Sequence, residues 1–352
     1  MIFLVVNMEN VKDIKPWQYY HEFKTNESNW AEFRSKEYWE YRKKWTDIPQ
    51  SMTVTDFPIH LDIETTSYCN LECKMCARTI LMNEGTDYIR GQDVEFPMDK
   101  YKEIIDEGAG NGLCSVKLQY NGEPLADSKI VERVKYAKDK GILDVMFNTN
   151  ATLLTEEMSW KLLEAGLDDI FFSAESIDPE TYNKIRVGAD FHQVVANIKK
   201  FMQVKKEGKF DHVQTRISSI RFPNTKEEEV EEYKNFWLPI VGSVGYIDWV
   251  NQSTGKNEFE QYNPDFVCAQ PFQRLFILYE GSCTPCCIDV RKSYSLGSIY
   301  ENTVKDIWHG EKLTKLRELH MAGKYRDVEM CRKCLAPVTK ADGKATPELV
   351  QS

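Results

Sequence analysis

From about residue 58 the chain alternates short apolar runs with amphipathic stretches. His60-Leu61-Asp62-Ile63-Glu64, Val116 to Tyr120, Val145-Met146-Phe147, Ile170 to Ser173, Val213 to Ile220 and Gly245 to Val250 read as strands. Between them, Met98 to about Gly108 and residues 127–140, 155–165, 179–207 and 225–237 space their apolar positions as helices. Strands alternating with helices imply βα units on a parallel sheet, and right-handed crossovers curl it. The expected fold class is α/β: a partial (β/α)6 TIM-like barrel, with its chemistry at the C-terminal strand ends.

The flanks differ. Residues 10–47 are charged and rich in aromatics, which form an untidy helical stripe. Ser28 suits the cap of a helix running to about Trp45 and lying across the main domain; a partner-docking arm is the alternative. Downstream, Asn251 to Asp265 reads as a polar linker, Arg274 to Tyr279 with a turn at Gly281 as a hairpin, and Thr303 to Trp308 and residues 311–321 as short helices. The expected division is an N-terminal helical segment (1–57), a barrel (58–250), a cysteine-rich domain (251–340) and a flexible tail (341–352). No internal repeat or low-complexity tract appears.

Composition narrows the function classes. The 352 residues suit one large domain plus a smaller one, and 42% apolar residues are enough for a sizeable core. The net charge of −10, with Lys and Arg dispersed, argues against nucleic acid as a partner. No window approaches the roughly 18 apolar residues of a membrane span. The apolar opening Met1 to Val6 lacks a basic region and a cleavage site, so it is not read as a signal peptide; Met8 is an alternative start. Ten clustered cysteines without a secretion signal favour metal ligation over disulfides, in a reducing cytoplasm.

Cys69, Cys73 and Cys76 form C-x3-C-x2-C just past the first strand. Thiolates suit iron–sulfur clusters or zinc, and three of them leave one iron of a cubane open. On spacing alone a zinc knuckle with a distant fourth ligand remains an alternative. Here the chain resembles the radical S-adenosylmethionine (SAM) superfamily over about residues 58–250. The resemblance implies a [4Fe–4S] cluster on Cys69, Cys73 and Cys76, with SAM on the open iron. One electron would then cleave SAM to methionine and a 5′-deoxyadenosyl radical that abstracts hydrogen from a substrate. It implies an electron donor such as flavodoxin or ferredoxin. Met75 matches a hydrophobic position near the adenine. Asn121-Gly122-Glu123-Pro124 resembles the family's Gly-Gly-Glu-Pro motif, which contacts the SAM amino group. Asn121 replaces its first glycine, which questions the backbone there because glycine reaches positive φ cheaply. Asn148-Thr149-Asn150 resembles Thr-Asn-Gly, with Ala151 displacing the glycine, and Ser173 matches a ribose or carboxylate contact. Arg186 and Arg216 are candidates for the SAM carboxylate, since a guanidinium pairs with it bidentately.

Six cysteines lie in residues 268–334. Cys268, followed by Gly281 and Cys286, resembles the auxiliary-cluster extension of this superfamily, called SPASM or, when shortened, Twitch. That implies one auxiliary [4Fe–4S] cluster on Cys268, Cys286, Cys331 and Cys334, with a four-thiolate zinc site as the alternative. Cys283 and Cys287 are left over. Either is a candidate hydrogen donor to a substrate radical, which would make an epimerase; without a donor, a dehydrogenase follows. Cys114 reads as a small buried hydrophobe. Tyr120, Glu175 and Asp248 lie at strand ends, but none is singled out as a base. The expected partner is a hydroxylated, carbohydrate-like small molecule, with a peptide second and no membrane. A non-catalytic zinc or iron–sulfur scaffold is the alternative of another class.

Overall fold

The computed structural model describes residues 20–24, 30–85, 94–222, 225–248, 263, 265–334 and 336–337. The Ser28 cap, almost all of the 251–265 linker and the 341–352 tail lie outside them. The chain opens with β1 (Tyr20–Lys24), α1 (Lys36–Ser51), β2 (His60–Ile63), α2 (Ala77–Asn83) and α3 (Met98–Gly110). It continues through β3 (Ser115–Lys117), α4 (Ile130–Asp139), β4 (Asp144–Thr149), α5 (Glu156–Glu164) and β5 (Asp169–Ser173). Next come α6 (Pro179–Ile185), α7 (Phe191–Glu207), β6 (Gln214–Arg221), α8 (Glu227–Val241) and β7 (Ser243–Asp248). The cysteine-rich part holds α9 (Gln270–Gln273), β8 (Arg274–Ile277), β9 (Ser282–Thr284), β10 (Gly297–Ser298), α10 (Val304–Trp308), α11 (Glu311–Met321) and α12 (Glu329–Arg332).

The strands form one sheet in the order β1-β7-β6-β5-β4-β3-β2-β8-β9-β10. β2 to β7 are mutually parallel, as the alternating pattern predicts. Leu61, Ile63, Val116, Val145, Phe147, Ile170 and Phe172 belong to one main core with the helices. The intervening positions face the barrel interior, since side chains alternate along a strand. One predicted helix, 179–207, is two: Gly188 sits at φ +97° between them, and Asp190 caps α7 by accepting from the Gln193 amide at 2.8 Å.

Both sheet edges are covered, and sequence patterning predicted neither cover. β1 pairs antiparallel with β7, so the N-terminal part is not wholly helical. β8 pairs parallel with β2, so the cysteine-rich hairpin continues the barrel sheet. Covering an edge satisfies its backbone groups and blocks adventitious pairing.

α1 starts later than the aromatic stripe suggests, because Ser35 is its cap and accepts from the Tyr38 amide at 3.2 Å. The helix lies across the main domain as expected. Tyr38, Tyr41 and Ile48 bury against Ile59 and Cys114, just before β2 and β3, and against Phe272. Cys114 is thus the small buried hydrophobe expected of it. Arg34 reaches the start of β4 and β5, where it meets Asp144 at 3.5 Å, Asp168 at 3.0 Å and Asp169. This segment therefore closes the N-terminal end of the barrel. Among the described residues, no helix is long and apolar enough to cross a membrane.

Candidate active site

The loops after the parallel strands converge on a cavity of about 400 Å³ at the C-terminal end of the barrel. Cys69, Cys73, Cys76 and Met75 line it from the β2 loop, and Asn121, Gly122 and Glu123 from the β3 loop. Asn148 on β4, Ser173 on β5, Arg186 after α6 and Arg216 on β6 complete it. Every residue predicted for the cluster and SAM thus faces one cavity, drawn from positions 69 to 216.

Buried polar groups fix these loops. Glu123 is buried, and its carboxylate accepts from Thr149 Oγ1 at 2.6 Å, the Asn150 amide at 2.8 Å and the Leu125 amide at 3.1 Å. It therefore ties the β3 loop to the β4 loop, a role the motif resemblance did not suggest. Burial holds its pKa above the usual carboxylate range. Asn150 Nδ2 approaches Cys69 Sγ at 3.8 Å and donates to Asn70 Oδ1 at 3.0 Å. Asn121 has no positive φ, so losing the motif's first glycine is harmless. Gly122 is the demanding position: a Cβ there would stand 1.9 Å from the Thr66 carbonyl oxygen. Ala151 takes up the left-handed conformation at φ +60° where the family motif has glycine.

Arg186 is placed differently from expectation. Its guanidinium pairs through two nitrogens with Glu175, one contact at 2.6 Å, and its third nitrogen lies 3.9 Å from Cys73 Sγ. Glu175 thus holds it in place beside the thiol, at the cavity wall. Arg216 lies with its guanidinium 3.9 Å over the Phe171 ring, at the cavity wall.

The donor set fits a cluster. Burial pushes the Cys69 thiol up to about 11 and the Cys73 thiol up to about 12, with Glu123 adding to the first and Arg186 opposing the second. Such thiols ionise when a cation binds them. Cys268, Cys286, Cys331 and Cys334 line a second, small cavity whose other walls are apolar, apart from His320. Among the described residues no three His, Cys, Asp or Glu side chains are gathered to hold a single metal ion. Four thiolates suit a [4Fe–4S] cluster and also tetrahedral zinc.

Neither spare cysteine is among the lining residues of the two cavities, but the Cys287 thiol pairs with that of Cys286. Cys283 is 1% exposed within the main core. Cys287 Sγ accepts from Gln270 Nε2 at 3.4 Å. Tyr120 does link the sites: it lines the larger cavity and its hydroxyl lies 3.5 Å from the Cys286 carbonyl oxygen. The side chain of Asp248 lies outside the described residues.

Glu64, Glu175 and His320 escaped the sequence reading as site residues, and Asn150 was read only as part of a motif. Position just past β2 was the available signal for Glu64, which ends the first predicted strand. It is fully buried, and its two oxygens accept from the backbone amides of Asn121 at 3.1 Å and Tyr279 at 3.3 Å. It thus clamps the β3 loop to the cysteine-rich hairpin, and burial pushes its pKa up to about 8. Glu64→Leu leaves both N–H groups without that acceptor, whatever the protonation state of the glutamate. It is expected to cost about 1–3 kcal/mol in urea denaturation, the penalty for an unsatisfied buried donor; wild-type stability would show that the clamp is not needed.

The profile of the radical SAM superfamily matches residues 63–236. That of SPASM, an iron-sulfur cluster-binding domain, matches residues 268–335. GTP 3',8-cyclase of Alkaliphilus metalliredigens (strain QYMF) is 27% identical over 190 residues, which are 54% of this chain and 55% of that protein. The chain spans about half the length of the curated relatives it matches. Streptococcus suis SuiB bound to S-adenosylmethionine has a TM-score of 0.58 at 15% identity, covering 80% of this chain and 73% of SuiB. BtrN in complex with AdoMet and 2-DOIA has a TM-score of 0.52 at 19% identity, covering 78% of this chain and 92% of BtrN. These two likenesses are of fold. The cofactors that go with the two matched domains are SAM, a [4Fe–4S] cluster and auxiliary iron–sulfur binding. The chain belongs to the radical SAM superfamily and carries a C-terminal SPASM domain.

Proposed function

We propose that the chain reductively cleaves SAM in the barrel mouth and abstracts a hydrogen atom from a C–H bond of a hydroxylated, carbohydrate-like small molecule, acting as an oxidoreductase or epimerase. The observation that carries this reading is the convergence of three thiols and the SAM-motif residues on one cavity of about 400 Å³. When bound, the reduced cluster supplies the electron that splits SAM into methionine and a hydrogen-abstracting radical.

The chain's own residues do the rest. Cys69, Cys73 and Cys76 ligate the cluster, and Arg186 and Asn150 place a charge and a donor beside two of them. Gly122 lets its loop pass the Thr66 carbonyl closely. Met75 packs against the adenine, Asn148 and Ser173 offer polar contacts, and Arg216 takes the carboxylate. Cys268, Cys286, Cys331 and Cys334 hold one auxiliary cluster, and a flavodoxin or ferredoxin supplies electrons.

The barrel interior bears on the substrate. Asp62 and Lys117 are register partners on β2 and β3, and Asp62 lies 3.2 Å from His60 Nε2 and 3.3 Å from Arg274. Despite burial, Arg274 and His60 hold the Asp62 carboxyl at about 2. Lys117 and Arg274 beside Asp62 support a polyol bearing phosphate or carboxylate. Relatives named GTP 3',8-cyclase favour a second reading, a nucleoside triphosphate, though their match covers only about half of each chain. A peptide comes third.

Deuterium transfer into 5′-deoxyadenosine tests the order. Label arriving from a C-deuterated sugar phosphate supports the proposal. Label arriving from GTP or from a ribosomal peptide, with none from any sugar or polyol, would overturn it.

A further inference from the structure

We infer that His320 is a redox-positioning residue: its Nε2–H donates a hydrogen bond to the Cys331 sulfur and raises the potential of the auxiliary cluster. The inference rests on the four-cysteine ligand set proposed above.

His320 is 2% exposed at the end of α11, with its ring stacked on Tyr325 at 5.6 Å and 10° between planes. Its Nδ1 receives the backbone N–H of Cys268 at 3.3 Å. A nitrogen that accepts a hydrogen bond carries no proton, so this contact fixes the tautomer: the proton of a neutral imidazole is then on Nε2. Nε2 lies 3.6 Å from Cys331 Sγ. The sulfur is therefore the acceptor.

One ring thus bridges two of the three thiol-bearing segments, Cys268 before α9 and Cys331 on α12. Its setting is dry, because Phe266, Pro271, Leu316 and Tyr325 wall the same small cavity. Hydrogen bonds act strongly there. A second sulfur is served in the same way, since the Ala336 amide donates to Cys334 Sγ at 3.3 Å. N–H···S donation stabilises the cluster state with the extra electron and so raises its potential. None of this requires His320 to change protonation.

The test uses the full-length chain with Cys69, Cys73 and Cys76 all replaced by Ala, so that the auxiliary cluster alone binds iron. His320→Phe keeps the stacking on Tyr325 and removes the N–H; His320→Gln restores an N–H near the Nε2 position. Each is reconstituted anaerobically and titrated under EPR. At the poise where the parent is half reduced, the Phe variant is expected to show an oxidised-to-reduced ratio about tenfold higher, ~59 mV for one electron. The Gln variant should stay within about threefold, since it keeps the donor. With histidine-selective 15N labelling, which the Ala336 amide does not carry, electron–nuclear double resonance of the parent should show a 15N coupling that the Phe variant lacks.

Identical potentials in parent and Phe variant would overturn the inference. If the Phe variant fails to load iron, the parent still decides, because absence of a histidine 15N coupling in it overturns the inference too. A parent that binds no iron would instead overturn the ligand set, a failure that iron analysis separates from the others.

Discussion

A Gly122→Ala variant is expected to lose about a hundredfold or more of SAM-dependent 5′-deoxyadenosine formation, the penalty for misplacing a reacting group by about 1 Å. The added Cβ would stand 1.9 Å from the Thr66 carbonyl oxygen and 2.9 Å from that of Tyr68, and both obstacles are backbone. Neither yields as a flexible side chain would. The two loops are also laced together, because the Glu123 amide donates to the Tyr68 oxygen at 2.8 Å. Separating them moves Glu123, with its hold on Thr149 and Asn150, and moves Cys69 next to Tyr68. Gly122 has no positive φ, so the effect is one of space and not of backbone conformation. Steady-state assays would show it, with iron content checked so that loss of the cluster is not mistaken for loss of SAM positioning. Wild-type turnover by the Gly122→Ala enzyme would show that the loop tolerates the methyl group and does not form a tight SAM contact.

Arg34→Ala is expected to cost about 3–5 kcal/mol, as removal of one partner from a buried ion pair does. Arg34 and the carboxylates of Asp144 and Asp169 are each no more than 3% exposed as side chains. Burial, together with mutual repulsion, already holds the Asp144 and Asp169 pKa values above the usual range. Arg34 is the chief opposing charge, with Arg42 and Lys138 weaker contributors for Asp144. A carboxyl whose folded pKa is raised destabilises the fold above that pKa and stops doing so below the unfolded value near 3.9. Removing Arg34 raises these values further. The deficit should therefore shrink as the pH falls toward about 4. Urea denaturation of wild type and variant at pH 7 and pH 5 measures it; a deficit that grows on acidification would contradict the assignment.

The barrel was legible because its strands are short, apolar on one side and separated by long amphipathic segments. The first cluster was legible because its three ligands are local in sequence. What stayed hidden depends on contacts far apart in the chain. β1 reaches β7 across more than 200 residues, and β8 joins β2 from a separate domain, so no local pattern encodes either pairing. The helix read as 179–207 failed at Gly188, a helix breaker inside an otherwise periodic run. Glu123 and Arg186 were found by motif and type, but their partners Thr149, Asn150 and Glu175 changed what they do. Glu175 was visible only as a strand-end carboxylate. His320 carried no signal at all, because its meaning comes from Cys268 and Cys331 closing on its two nitrogens. Cys283 shows the converse: a cysteine within a cysteine-rich run can be plain packing.

Holding the cluster at which SAM is cleaved is the role proposed above for Cys69, Cys73 and Cys76. It is tested most directly by reconstituting the chain anaerobically, reducing it, adding SAM and measuring 5′-deoxyadenosine beside a Cys73→Ala control. The account predicts a brown protein with about eight irons, as two cubane clusters require. It also predicts 5′-deoxyadenosine from the wild type and none from the control. Undiminished production by the Cys73→Ala protein, or a fully loaded wild type whose reduced cluster neither binds SAM nor cleaves it, would contradict the account.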